Sequence, residues 1–254
     1  MCTWNIQLGR RRGAVIDAVR TRADFKDLDL LCLQEASVHS GREDAALIAK
    51  AMGSGYDHFQ ATAQLRRGTE QANALIWRRE SFQPGEPQVV SLGNPAFATM
   101  ARAEQALLRA IAPQQRIAIR AESSAMRVYV LHLDVIGFAH KIQQLEVVIA
   151  DMATRPPVPL TLVAGDLNTF GPPGLQLWRR LAATATEAGL VEVTRDVRST
   201  HWTSQKLDAI FVRSDSGITT QAWALDVGAS DHQPVFAEID FQVGTGARRR
   251  SPAL

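Results

Sequence analysis

The sequence predicts a mixed α/β (α+β) layered protein, and three observations carry that prediction. Short β-like apolar runs alternate with amphipathic stretches along all 254 residues. No internal repeat and no linker rich in Pro, Gly or Ser interrupts them. With 46% hydrophobic and 21% charged residues, the chain is long enough for one large core and short for two.

Taken in order, CTWNI reads as the first strand, followed by helical spacing from Gly13 to Arg22. DLLCLQ is a second apolar run, and Asp44 to Met52 again has helical spacing. NALIW, PQVVSL, RIAIRA and RVYVLHLDV are rich in β-branched and aromatic residues, as strands are. A helix from His140 to Met152, the strand PLTLVAG and a helix from Leu175 to Ala188 follow. LDAIFV, QAWALDV and PVFAEID complete the strands. Met100 to Ala112 is ambiguous, because its propensity is helical while its place between strand-like runs suits a strand. Residues 1–242 are expected to form the domain, and 243–254 a disordered basic tail, with nucleic-acid contact by GARRRSPAL as the alternative.

The net charge of +2 tolerates an anionic partner without amounting to a nucleic-acid-binding surface. Cys2 and Cys32 lie in apolar runs, so they read as small buried hydrophobes with no disulfide framework. No charged start leads into an apolar signal region, and no apolar run approaches the roughly 20 residues that span a bilayer. A soluble, cytoplasmic chain is therefore expected. The first strand begins almost at Met1, which leaves little chain to lead into a core strand. The native start is expected upstream, or the chain is trimmed.

Polar residues recur at the ends of these apolar runs: Asn5, Glu35, His132, Asp166 with Asn168, Asp208, and Asp231 with His232. Singly, each is an ordinary turn former or loop residue. Together, four carboxylates and two histidines at buried strand ends are costly unless they share a cation and a ligand. Hard oxygen donors suit Mg²⁺ or Mn²⁺, and no Cys cluster or close-spaced His pair favours zinc. Magnesium held by one or two carboxylates keeps water and takes phosphate oxygens as further ligands, which points to phosphoester chemistry.

The ordered set WNI, QE, NALIW, HLD, GDLN, LDAIF and SDHQPV, from Trp4 to about Ile239, resembles the endonuclease/exonuclease/phosphatase superfamily. Its members are metal-dependent phosphoesterases of the deoxyribonuclease, sphingomyelinase and phosphatase kinds. The resemblance implies a four-layered sandwich, two packed mixed β-sheets flanked by helices, with the active site where loops meet at one edge. It implies that Glu35 is the principal metal ligand, with Asn5 helping and Asp231 near the metal. Asp166 orients and deprotonates the attacking water, and Asn168 holds that water or the phosphate. His232 contacts the scissile phosphate with Asp208 behind it, His132 is a second phosphate-contacting histidine, and Asn73 lies near the phosphate. The implied reaction is in-line attack of water on phosphorus with no covalent enzyme intermediate, by one metal or two.

Substrate is less legible. Arg10, Arg11 or Arg12 could reach a second phosphate at the mouth of the site or simply form a solvated helix start. His201 and Trp202, with Phe170, read either as an aromatic platform for a base or headgroup or as core packing. His39, His58 and His140 have no partner pattern and read as surface residues. Gln105 and Ala106 stand near where relatives carry an arginine before a short apolar strand. Lys141 and Gln144 stand where relatives carry a basic residue and a glutamine. His132 argues against the abasic-site endonuclease branch, and the short chain leaves little room for a membrane-inserting hairpin or DNA-clasping insertions. A phosphodiesterase acting on DNA or RNA is the leading reading. A small-molecule or lipid-headgroup phosphatase or phosphodiesterase, and a non-catalytic phosphate-binding module, are the alternatives. No membrane insertion and no obligate protein partner are expected.

Overall fold

The computed structural model describes residues 1–66, 68–93, 114–171 and 174–241. The ambiguous segment from Met100 to Ala112, with Gln105 and Ala106, and the basic tail lie outside the described residues.

Two six-stranded mixed sheets pack face to face. The first runs β13 (Ile218–Ala224), β14 (Val235–Phe241), β1 (Cys2–Asn5), β2 (Leu30–Ala36), β6 (Thr69–Arg78) and β5 (Tyr56–Arg66). The second runs β11 (Val191–Glu192), β12 (Asp208–Ser214), β10 (Leu160–Asp166), β9 (Met126–His132), β8 (Ile117–Glu122) and β7 (Gln88–Ser91). β1 and β2 are parallel, as are β9 and β10, and a small hairpin joins β3 (Val38–His39) to β4 (Arg42–Glu43).

Helices cover the outer faces because their apolar residues recur one turn apart. In α1 (Arg12–Thr21) these are Val15, Ala18 and Val19, and in α2 (Asp44–Met52) Ala45, Ile48 and Ala49, all packed on the first sheet with Leu31 and Leu33. In α3 (Phe138–Ala153) they are Leu145, Val148 and Met152, and in α4 (Gly174–Glu187) Leu177, Leu181 and Ala185, packed on the second sheet. Central strands are apolar on both faces, so they read as continuous runs. In β9, Tyr129 and Leu131 face the helices while Val128 and Val130 fill the layer between the sheets. The result is the four-layered sandwich. Among the described residues no helix is long and apolar enough to cross a membrane.

The expected helices agree with the observed ones to within a residue or two. β5 was not expected, because an edge strand reading YDHFQATAQLR is half-exposed along its length and lacks the apolar run of a core strand. The strand expected at QAWALDV lies three residues earlier, from Ile218 to Ala224, because it pairs along the whole of β14. Cys2 and Cys32 are buried free thiols, as expected.

Candidate active site

Strand periodicity builds the site. Val128 and Val130, Leu162 and Ala164, and Ile210 and Val212 point into the layer between the sheets. One further step of the alternation puts His132, Asp166 and Asp208 on that face, at the end of the core. Register aligns the row, since Asp166 stands opposite His132 on one neighbour and opposite Asp208 on the other. From the facing sheet, Asn5 at the end of β1 donates its Nδ2 to Asp166 Oδ2 at 3.0 Å. All four residues are buried.

Asp166 is the centre of this arrangement. Its Oδ1 accepts the backbone N–H of Asn168 at 2.8 Å. Its Oδ2 lies 3.5 Å from His132 Nε2 and 3.7 Å from His232 Nε2. Burial pushes its carboxyl above the ordinary range, with Asp208 adding to that; the His232 charge and the bonds from Asn5 and Asn168 pull the other way. Asn168 has a left-handed backbone, φ 50°, and is held by three bonds. Besides the Asp166 bond, its Nδ2 donates to Leu133 O at 2.8 Å and its carbonyl accepts Lys141 Nζ at 2.7 Å. Such over-determination is what keeps a strained turn in place.

The two histidines differ in charge logic. His232 Nδ1 donates to Asp208 Oδ2 at 2.9 Å. Burial works against its charge, yet Asp208 and Asp166 outweigh burial and raise its pKa to about 10. The stabilisation from this imidazolium is therefore complete below the ordinary histidine value near 6.5 and is lost as pH rises through about 10. Asp208→Asn should bring the His232 titration down toward the ordinary value, followed through its ring proton resonances. A wild-type midpoint already near neutrality would contradict the pairing. His132, by contrast, has Arg116 Nη1 3.0 Å from its Nδ1. Because a guanidinium only donates, Nδ1 is the acceptor and the ring is a neutral donor with its proton on Nε2, toward Asp166.

Glu35 and Asp231 flank the row. β2 carries a register shift between Leu33 and Ala36, and Glu35 has φ 52°. A bulge of this kind turns a side chain off the face that alternation assigns it. Glu35 Oε1 accepts Gln71 Nε2 at 2.9 Å. Asp231 Oδ2 accepts Gln7 Nε2 at 2.8 Å, and its Oδ1 accepts Ser230 Oγ at 3.1 Å. Among the described residues, Asp166, Asp208 and His232 form a group of possible ligand atoms, all within 4.8 Å of one another and buried. Both ends of the Asn5 amide are engaged, because its Oδ1 accepts Gln7 N at 3.0 Å.

Of the expected substrate contacts, Trp202 is beside the site and 74% exposed. Its backbone N–H donates to the Asp231 carbonyl at 3.0 Å, and the preceding His201 forms a β-bridge with His232. The rings of Phe170, His201 and Trp202 follow one another at 5.3 and 5.8 Å, the first pair edge to face and the second tilted, and only His201 is buried. Asn73 is buried in β6 and donates to Ile117 O at 2.8 Å, which holds the chain next to Arg116. Arg10 and Arg11 are exposed along a shallow groove with Gly13 and His39. Arg12 is committed to Asp44 at 3.4 Å.

One expectation is corrected. His140 is buried, 3.8 Å from Asp134, because α3 starts at Phe138 and turns it inward. His39 and His58 are partly exposed, with their side chains at 34% and 31%. Gln7, Gln71 and Arg116 were missed. Arg116 directly precedes β8, the short apolar strand before which an arginine was sought ten residues earlier, and only the fold brings it to His132.

The family model described as Endonuclease/Exonuclease/phosphatase family matches residues 2–232. A search of curated protein sequences finds no significant match. Among solved structures, an endonuclease/exonuclease/phosphatase family protein from Leptotrichia buccalis superposes with a TM-score of 0.69 at 13% identity, covering 94% of this chain and 98% of that one. A mannosyl-6-phosphatase from Bacteroides thetaiotaomicron gives 0.65 at 16% identity over 94% and 98%. D. rerio TDP2 complexed with single strand DNA product gives 0.63 at 14% identity over 94% and 98%. At such identities these likenesses speak to fold. The family match spans nearly the whole chain, from the strand that carries Asn5 to His232, and the chain belongs to the endonuclease/exonuclease/phosphatase family.

Proposed function

We propose that this protein is a metal-dependent phosphodiesterase that hydrolyses polynucleotide by in-line attack of water on phosphorus. The observation that carries the proposal is the Asp166 carboxylate, fixed at a buried strand end and flanked on one oxygen by two imidazoles at 3.5 and 3.7 Å. A base and two phosphate-neutralising donors converging on one point is the arrangement that hydrolysis of a phosphoester needs.

In this reading Asp166 Oδ2 takes the proton of the attacking water. Its raised pKa makes it a better base than an exposed aspartate. The new O–P bond forms as the bond to the leaving alcohol breaks, giving a phosphomonoester and an alcohol. His232, kept as imidazolium by Asp208, and neutral His132 donate from Nε2 to the phosphoryl oxygens. Arg116 holds His132 in that tautomer, and Asn5 and Asn168 hold Asp166.

The donor set fits a hard cation. Asp208 Oδ1 is buried with no hydrogen-bond partner among the described residues, Glu35 stands next to the last residue of β2, and Asp231 lies in the loop that leads into β14. Glu35 and Asp231 would hold Mg²⁺ or Mn²⁺, with Asn5 positioning rather than ligating. What the cation supplies when bound is Lewis-acid polarisation of a phosphoryl oxygen. The exposed Trp202, whose backbone is bonded to that of Asp231, supports a substrate with a planar base beside the scissile phosphate.

The test is hydrolysis of supercoiled plasmid, single-stranded DNA, RNA, an aryl phosphodiester and an aryl phosphomonoester, with Mg²⁺, Mn²⁺ or a chelator. Metal-dependent cleavage of polynucleotide that the chelator abolishes is the expected result. Turnover restricted to the small monoester would replace this reading with a phosphatase, and no turnover at all would leave a binding module. Within the same assay, Arg116→Met should lower kcat by about 10- to 100-fold, because the His132 ring loses its fixed tautomer. Its KM should change little, and equal losses in Arg116→Met and a neutral surface variant would remove Arg116 from the scheme.

A further inference from the structure

Strand alternation aims His132, Asp166 and Asp208, but not Glu35, which sits on the bulge of β2 with φ 52°. Its carboxylate has to be directed by something other than its own strand. Three hydrogen bonds in series do this. Glu35 Oε1 accepts Gln71 Nε2 at 2.9 Å, and Gln71 Oε1 accepts Gln64 Nε2 at 2.5 Å. Gln64 Oε1 in turn accepts the backbone N–H of Gln115 at 2.9 Å.

Two bulges on either side of β6 build this relay. Along β6, Leu75 and Trp77 face the layer between the sheets, so the period of two places Asn73 and Gln71 on the same face. On one side, the irregularity of β2 sets Gln34 and Glu35 against Asn73, between the pairs Leu33–Ala74 and Ala36–Ala72. On the other, β5 pairs Thr62 with Ala72 and then Gln64 with Gln71, so Ala63 is the extra residue. Without that bulge Ala63 would stand opposite Gln71 and supply no amide. The polarity of the relay is set from its outer end. A backbone N–H only donates, so Gln64 gives its oxygen to Gln115 and its nitrogen to Gln71, which leaves the nitrogen of Gln71 for Glu35. Gln71 is buried, so bulk water does not compete for its amide.

We propose that Gln71, held by Gln64, is a positioning residue that directs the Glu35 carboxylate at the cation, an inference that rests on Glu35 being a metal ligand. The relay ends on the segment that also carries Arg116, whose Nη1 lies 3.0 Å from His132 Nδ1. Asn73 fixes the same segment through Ile117 O at 2.8 Å. Residues 115–117 thereby tie the metal side of the site, on the first sheet, to the phosphate side, on the second. Hydrogen bonds behind a metal ligand typically govern about 10- to 100-fold in metal affinity.

The test is calorimetric titration of Mn²⁺ into the full-length wild type, Gln71→Met, Gln64→Met and Glu35→Gln, without substrate. Gln71→Met should weaken Mn²⁺ binding by about 10- to 100-fold. Gln64→Met should weaken it less, because it loosens the Gln71 amide without removing the donor. In turnover, the loss in Gln71→Met should be recovered at saturating Mg²⁺ with KM for substrate unchanged, whereas the loss in Arg116→Met should not be recovered. Thermal unfolding in chelator reports that each variant is folded, and Gln64→Met, on the half-buried edge strand, carries the test if Gln71→Met does not fold. Wild-type affinity in both glutamine variants, alongside weakened binding in Glu35→Gln, would overturn the relay alone. Undiminished binding in Glu35→Gln would remove Glu35 as a ligand and the relay with it.

Discussion

Asp166→Asn is expected to lower kcat on the best substrate of the panel by about 10³-fold, with the melting temperature kept or raised. The amide is nearly isosteric with the carboxylate but cannot take a proton from water. Removing this charge also relieves a buried carboxylate that burial already disfavours. One compensation is lost, because the His232 imidazolium is held by Asp166 as well as Asp208. Activity and stability should therefore move independently, which separates a chemical role from a structural one. Steady-state kinetics and thermal unfolding on the same preparation check this. A variant retaining more than about a tenth of wild-type kcat would mean that another group activates the water.

Gly165→Ala should be the most damaging single methyl in the described molecule. A Cβ at Gly165 would lie 1.8 Å from the carbonyl oxygen of Leu131 and 2.8 Å from its carbon. These are backbone atoms of the paired strand β9, so no side-chain rotation relieves the overlap. β9 and β10 would have to part where Leu131 and Gly165 face each other, one step before His132 and Asp166. A loss of at least about 4 kcal/mol is expected, or roughly 10 °C in melting temperature for a chain of this size. Gly13→Ala is the control, since Gly13 lies in α1 with nothing within 4 Å of the new methyl. There the same change should be neutral or stabilise by about 0.5–1 kcal/mol, through the helix and the unfolded chain. Comparable destabilisation by both would mean that the Leu131 contact is not what matters. The prediction also explains the glycine of GDLN: it lets two strands approach closely enough to align His132 with Asp166.

The residues that form the centre of the site were legible because each is a polar interruption at the end of an apolar strand. Asp166, His132 and Asp208 follow their strands' alternation, so the same period that buries Ala164, Val130 and Ile210 also aims them. Glu35 was legible as a polar strand end but not in its direction, because a bulge with positive φ decides where it points. Arg116 was not legible as a partner of His132. It precedes β8, and sixteen residues separate the two along the chain. β5 escaped for the opposite reason, being a real strand without an apolar signature.

By itself, then, the sequence determined the alternation of elements, the apolar faces of the helices, and the carboxylates, amides and imidazoles that end the strands. These are local properties, written in periods of two and of about 3.6 residues. Tertiary structure alone decided register, the tautomer of His132, the raised pKa of His232 and the burial of His140. Each depends on which strands are neighbours and how far one slides past another. Hydrogen-bond partners and burial across the sheet set those distances, and no local pattern along the chain encodes them.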